Sequence, residues 1–370
     1  MFNNIKTFLA DKEWNDTTKN ELYVNYIKYR ELKEKDDVNV ENLVLLFNKK
    51  TETDMQKECN GLIIEKNTNK IIASCQHDFE QKQPENHDDY VSAEYCEDGT
   101  IIRLYNYKGI WTTATKKCIN AKYSFWSNSK TFNDMFWEVF GHEKLDLSKL
   151  NTDHTYIFAL LHIDNILVVK HTENSLVYLG HINNVTGENY ENNDLNLFSV
   201  NPRIKLPEKI NLTKDDLSDI SSIEKYFHQK KRGLLIKYTN NRIYKVDFKE
   251  FTFVQKLRGN EPFIRIRYLE LLNEPEKLYH LTGYYSEHHF TFAMINHNIS
   301  TVCDEIYMLY RNTHVKHKVR IDESHEYFKT IKQLHGQYKT TNKPITKEDV
   351  FNKFKTYNVH ILKKLLKWTD

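Results

Sequence analysis

Glycine and proline are scarce, 10 and 6 among 370 residues, about a third of the usual ~12% combined share, which excludes collagen-like repeats, propeller blades and Gly/Ser linkers. Cysteine is sparse too. The five (Cys59, Cys75, Cys96, Cys118, Cys303) are scattered and never spaced C-x-x-C, so neither a disulfide framework nor a zinc ribbon is indicated, and a reducing, cytoplasmic setting is expected. No run approaches 18 apolar residues, and Met1-Phe2-Asn3-Asn4 is not a charged segment followed by an apolar one, so neither secretion nor a membrane span is expected. Excess charge of one sign is also absent: 53 Lys and Arg face 51 Asp and Glu, a net +2. Any basic groove must therefore be local. No fixed-period repeat, low-complexity tract, phosphate-binding glycine loop or G-x-S-x-G elbow occurs, which removes solenoids, P-loop enzymes and serine hydrolases of that type.

Aromatic residues are abundant, with 23 Tyr, 20 Phe and 5 Trp, too many for a disordered chain and enough for a filled core or base-stacking surfaces. Length gives a prior of two domains. Up to about residue 250, short Ile/Val/Leu/Tyr/Phe runs are broken by Asn, Asp, Gly and Lys, the pattern of strands and turns. Strands are expected at 43–47, 61–65, 71–74, 100–107, 111–115, 156–160, 166–171, 176–182, 233–238 and 242–248, with helical patches at 130–140 and 215–229. Beyond Glu250 the period becomes helical, at 251–257, 265–272, 290–311, 324–338 and 346–368. Thr346 followed by Lys347, Glu348 and Asp349 reads as an N-cap with acids in the first turn. The fold class expected is α+β, antiparallel sheets with flanking helices over 1–255 and a mostly α-helical domain over 256–370.

Lys57-Glu58-Cys59-Asn60-Gly61 alone reads as a solvated lead-in to a buried strand, and Asp98-Gly99 alone as an ordinary turn. The order of several segments says more. Cys96-Glu97-Asp98-Gly99-Thr100 is followed by Leu104-Tyr105-Asn106-Tyr107-Lys108-Gly109-Ile110-Trp111 and by Thr115-Lys116-Lys117. Glu58-Cys59-Asn60-Gly61 lies upstream; Ser124-Phe125-Trp126, Phe136-Trp137-Glu138, Tyr156-Ile157-Phe158, Asn165–Val169 and Leu257-Arg258-Gly259-Asn260 lie downstream. Together they resemble the T-even phage type of ATP-dependent RNA ligase, of the nucleotidyltransferase superfamily, and its relatives in large DNA viruses, over roughly residues 20 to 272.

The resemblance implies a nucleotidyltransferase fold in residues 1–255 and a mechanism in which a lysine attacks the α-phosphate beside a metal ion. Against that pattern, Cys96 replaces the nucleophilic lysine of K-x-D-G, and Ala159 replaces a carboxylate after Phe158. Arg232 replaces a glutamate before Gly233, and Asp247 replaces the second lysine of K-x-K after Lys245. The four departures imply a degenerate ligase-like protein with no catalytic residues, no metal and no cofactor. Its expected partner is RNA, single-stranded or an end, held in the former nucleotide cleft by Asp98, Gly99, Arg103, Trp111, Lys116, Lys117, Lys237 and Lys245, with Tyr105 and Tyr107 close by, or else the same cleft serves an adaptor role. One alternative is an active ATP- and Mg²⁺-dependent RNA ligase or capping-type transferase using Lys57 or Lys108 as nucleophile and Glu94, Glu97 or Asp98 on the metal. Another is a structural subunit that binds a protein partner through the aromatic helical domain. The histidines at 280, 288, 289, 297, 314 and 317 lack the H-E-x-x-H arrangement, so no zinc site is expected. Lys-, Asn- and Ile-rich composition and the resemblance together suggest a virus-infected cell, cytoplasm included.

Overall fold

The structure, a computed structural model, describes residues 2–32, 40–48, 52–75, 79, 87–126, 130–141, 146–190, 198, 201–228, 230–239 and 242–368. The chain forms two compact units, Met1–Thr252 and Phe253–Asp370. The first is α+β with antiparallel sheets and the second is helical, as the hydrophobic periods require. Among the described residues no helix is long and apolar enough to cross a membrane.

Three sheets build the first unit. The first joins β1 (Lys28–Glu31), β2 (Leu43–Phe47), β3 (Leu62–Glu65) and β4 (Ile71–Ala73) in sequential antiparallel order. β2 is apolar at every position because both its faces are covered: Val44 and Leu46 pack into one cluster, Leu43 and Leu45 into another. Helices α1 (Asn3–Leu9), α2 (Asp16–Val24) and α3 (Asp54–Glu58) lie along the same stretch of chain. Ile5, Leu9 and Leu22 from the first two of them share the core of Val44 and Leu46.

The chain passes between the remaining two sheets twice, the first time at a short turn. β5 (Tyr90–Cys96) belongs to the third sheet, in the order β12 (Lys209–Ile210), β5, β13 (Gly233–Tyr238), β14 (Ile243–Asp247). β6 (Thr100–Tyr107) belongs to the second, in the order β10 (Asn189–Tyr190), β9 (Ser175–Asn183), β8 (His154–Leu161), β6, β7 (Ile110–Thr115), with β11 (Ile204–Lys205) parallel to β9. Asp98-Gly99 is therefore not a hairpin. It carries the chain from one sheet to the other. A Cβ on Gly99 would lie 2.7 Å from the Leu160 carbonyl oxygen, so the crossing needs a residue without one.

One face of the second sheet is sealed by α4 (Phe132–Phe140). Thr131 caps that helix in a reciprocal box with Asp134, and Phe132, Met135, Phe136, Val139 and Phe140 recur at the spacing that aims one stripe inward. They pack on Phe158, Tyr178 and Phe198 in edge-to-face and tilted pairs. The opposite face carries Ala159, Leu161 and Val177. The third sheet packs one face on Phe248, Phe251, Leu217 and Ile223 and turns Cys96, Leu235 and Ile243 to the other.

Several sequence expectations shift. The apolar run 166–171 is a loop, because Val168 and Val169 give their N–H groups to the Asp98 carboxylate instead of to a neighbouring strand. The patch at 215–229 is a short helix, α5 (Lys214–Ser218), followed by a 3₁₀ stretch at Ile220–Tyr226. β5 is a strand the sequence reading passed over. Helix α6 (Lys249–Arg258) runs across the boundary between the units, and α7 (Ile264–Glu270), α8 (Pro275–Tyr284), α9 (His289–Tyr310) and α10 (Phe328–Thr341) follow in the helical unit. The expected single helix 346–368 is two, α11 (Lys347–Lys355) and α12 (Val359–Leu365), with Asn358 capping the second.

Candidate functional site

A cavity of about 200 Å³ opens where the facing surfaces of the second and third sheets diverge, lined by Cys75, Phe79, Tyr95, Cys96, Glu97, Gly99, Ile101, Lys116, Ala159, Leu179, Arg232, Leu235 and Lys245. Seven of these are positions singled out from sequence: Cys96, Glu97, Gly99, Lys116, Ala159, Arg232 and Lys245. They come from six separate strands or turns.

Cys96 ends β5 opposite Gly233 on β13 and is buried. Burial pushes its thiol up to about 11, against the pull of Lys245 and Arg232. At pH 7 only about one molecule in ten thousand carries the thiolate. A neutral sulfur in this position is a poor nucleophile.

Arg232 and Asp247 prove to be partners. Arg232 Nε and Nη2 donate to the two carboxylate oxygens of Asp247 at 2.8 and 2.9 Å, and Lys245 Nζ sits 3.5 Å from the same carboxylate. Both side chains of the pair are about one-quarter exposed, 26% and 24%. Burial works against ionisation of Asp247, yet Arg232 and Lys245 outweigh it and hold its carboxyl below the usual range. Two of the four departures from the ligase pattern thus balance each other in one bidentate pair.

Glu97 also faces the cavity, but Lys231 Nζ lies 2.5 Å from it and 3.3 Å from Glu208. The Glu97–Lys231 pair separates this cavity from a second one of about 370 Å³ lined by His171, Glu173, Ser175, Lys205, Glu208, His228 and Lys230. Asp98 is buried beside them and points elsewhere: its Oδ2 accepts from Val168 and Val169 N–H at 2.9 Å each, while its carbonyl accepts from His171 Nε2 at 2.8 Å. These residues do not fit a catalytic divalent ion. Ala159 offers no oxygen from its side chain, Arg232 is cationic, and Glu97 and Asp98 are already engaged. Among the described residues no group of three His, Cys, Asp or Glu is arranged to hold a metal.

The structure corrects four of the expected contacts. Arg103 is fully enclosed, its guanidinium donating to the carbonyls of Gly61, Ser74 and Thr115; it ties the first and second sheets together and reaches no surface. Trp111 lies on the α4 side of its sheet, edge-on to Tyr156. Tyr105 and Tyr107 are buried, bonded to the Ile119 carbonyl and to Glu65. Alternation decides only Trp111; Arg103, Tyr105 and Tyr107 share the face of Ile101, but the first sheet covers that face along the rest of β6. Lys237 shares the inward face of β13 but pairs with Glu94 at 2.9 Å, and exposed Lys117 does not line the cavity. Lys57, paired with Asp54 on α3, and Lys108, in the β6–β7 turn over the Tyr107 ring, are also outside its lining. Phe79, Cys75, Leu179 and Lys231 were not legible, since none carries a motif and only tertiary packing brings them here.

No family model matches the chain. An RNA ligase of Rhodothermus phage RM378 is 33% identical over 92 residues, 22% of this chain, and the match spans only 21% of that protein's length. Among solved structures, a putative ATP-dependent DNA ligase from Aquifex aeolicus aligns over 96% of this chain and 88% of its own at 13% identity, TM-score 0.45. An archaeal ATP-dependent RNA ligase aligns over 77% of this chain and 73% of its own at 11% identity, TM-score 0.43.

Proposed function

We propose that this chain is an RNA ligase-like protein that has lost covalent nucleotidyl transfer and uses the emptied cleft to hold RNA, single-stranded or at an end. The observation that carries the reading is Cys96: a buried, protonated thiol faces the cavity where a ligase of the resembled type would present its lysine. A phosphoramidate cannot form on sulfur, and neither Lys57 nor Lys108 lines the cavity. The Arg232–Asp247 pair supports the reading, because it neutralises in place two charges that the transfer reaction would need with opposite signs. Lys116 and Lys245 remain at the cavity and supply cations suited to phosphate oxygens.

The deciding measurement is the intact mass of the protein after incubation with ATP or GTP and Mg²⁺ or Mn²⁺. The expected spectrum shows no added nucleotide. An AMP or GMP adduct overturns the reading and restores a transferase. In parallel, Lys116→Glu combined with Lys245→Glu is expected to weaken binding of a short RNA; unchanged binding removes the cleft from the interaction.

A further inference from the structure

The near-neutral total charge conceals a division. Residues 253–370 carry 19 Lys and Arg against 13 Asp and Glu, net +6, whereas residues 1–252 are net −4. Within the helical unit, residues 311–320 hold four cations and no carboxylate. Helix α9 ends at Tyr310 and runs into a π-helical turn, Arg311–Val315. Asn312 then accepts from Lys318 N–H at 2.8 Å and folds the exit back. Residues 315–320 are all exposed. This turn bears Arg311, Lys316, Lys318 and Arg320, and α10 beside it bears Lys332 and Lys339.

Rings join the turn to the helix. His314 stacks on His335 of α10 at 3.9 Å and 11°, Tyr338 continues at 5.9 Å and 24° from His335, and buried Tyr310 flanks both imidazoles, 5.4 Å from His314 and 6.4 Å from His335. Burial, His335, His317 and Lys339 all disfavour protonation of His314, and burial and Lys339 do the same at His335. No carboxylate enters at either ring. Lys316, Lys318, Arg320, Lys332 and Lys339 form no ion pair among the described residues.

We propose that this surface is a docking site for single-stranded RNA, with the cations on backbone phosphates and the Tyr338 end of the ring column stacked on a base. Unpaired, exposed cations are the usual carriers of phosphate affinity, and flat rings at their edge offer what a base, but not an acidic peptide, can use. The ligand's identity rests on the RNA reading above; none of the residues of this surface lines the cleft.

The test uses the full chain and fluorescein-labelled 15-mer oligouridylate and oligoadenylate, followed by anisotropy from 50 to 300 mM NaCl. Lys316→Glu, Lys318→Glu and Arg320→Glu together are expected to weaken binding at least tenfold and to flatten the salt slope by about 2, three contacts at ~0.7 each. Tyr338→Ala is expected to cost at least fivefold. Exposed Lys122, Lys149 and Lys214 of the first unit, reversed together, change net charge equally and are expected to leave affinity within twofold. Equal thermal midpoints establish that the variants fold. Loss in the cleft variant alone overturns this inference and leaves the cleft reading standing; loss in the turn variant alone does the reverse. Polyglutamate binding as tightly as RNA, and insensitive to Tyr338→Ala, assigns the surface to an acidic protein and overturns the RNA assignment.

Discussion

Cys96 occupies the cavity without the reactivity its position suggests. Its thiol is protonated at neutral pH and buried; Cys59, Cys118 and Cys303 are buried too, whereas Cys75 is partly exposed. N-ethylmaleimide is therefore expected to modify Cys75 first in the native protein, and Cys96 at an appreciable rate only after unfolding; peptide mapping of the labelled chain reads the order. Asp98 gives a second expectation. Replacing it with Ala strands the N–H donors of partly buried Val168 and buried Val169 and costs about 2–3 kcal/mol, with hydrogen exchange accelerated in this loop at Val168 and Val169 before the neighbouring sheets. The Arg232–Asp247 pair gives a third. Truncating Asp247 leaves Arg232 as an unpaired, partly buried charge and costs roughly 2–3 kcal/mol, somewhat below the 3–5 of a fully enclosed pair; truncating Arg232 leaves Asp247 with Lys245 and costs less. Arg232→Glu with Asp247→Lys is expected to keep most of the stability that either change alone loses, as thermal midpoints of the three variants will show. Because Asp247 has a lowered carboxyl pKa in the fold, the pair's contribution is complete above the unfolded value of about 3.9. It disappears as pH falls through the lower folded value.

At the level of elements, alternation and helical period were legible wherever one face met a core. The 100–107 and 233–238 strands, the α4 stripe and the Thr346 cap all appear within a residue or two of where pattern places them. The failures have separate causes. The run 166–171 has strand composition, but a side chain more than sixty residues earlier captures its donors, a competition no local pattern records. The 346–368 segment keeps a helical period through 356–358, yet Asn358 caps a new helix, its Oδ1 accepting from Ile361 N–H at 3.0 Å. Asn358→Ala is expected to cost about 1 kcal/mol and to raise exchange first at the α12 N-terminus. Loss of the cap without that local change would mean that packing of Leu362 and Leu365, not the cap, sets where α12 begins.

At the scale of the molecule, the order of motifs indicated which segments meet, and Cys96, Ala159, Arg232 and Lys245 do converge on one cavity. It could not indicate which side chains turn inward, so Arg103 and Trp111 were misassigned while Lys231 and Phe79 went unseen. Nor did the total of +2 disclose the opposite signs of the two units, since a sum carries no position. The Arg232–Asp247 pair also ties two positions of the sequence to each other. A carboxylate at 232 alone would set two carboxylates within hydrogen-bonding reach, and a lysine at 247 alone would crowd against Arg232 and Lys245. Each single change of sign is disfavoured by the residue that stays, so the two charges work as a latch: the positions exchange sign only by changing together.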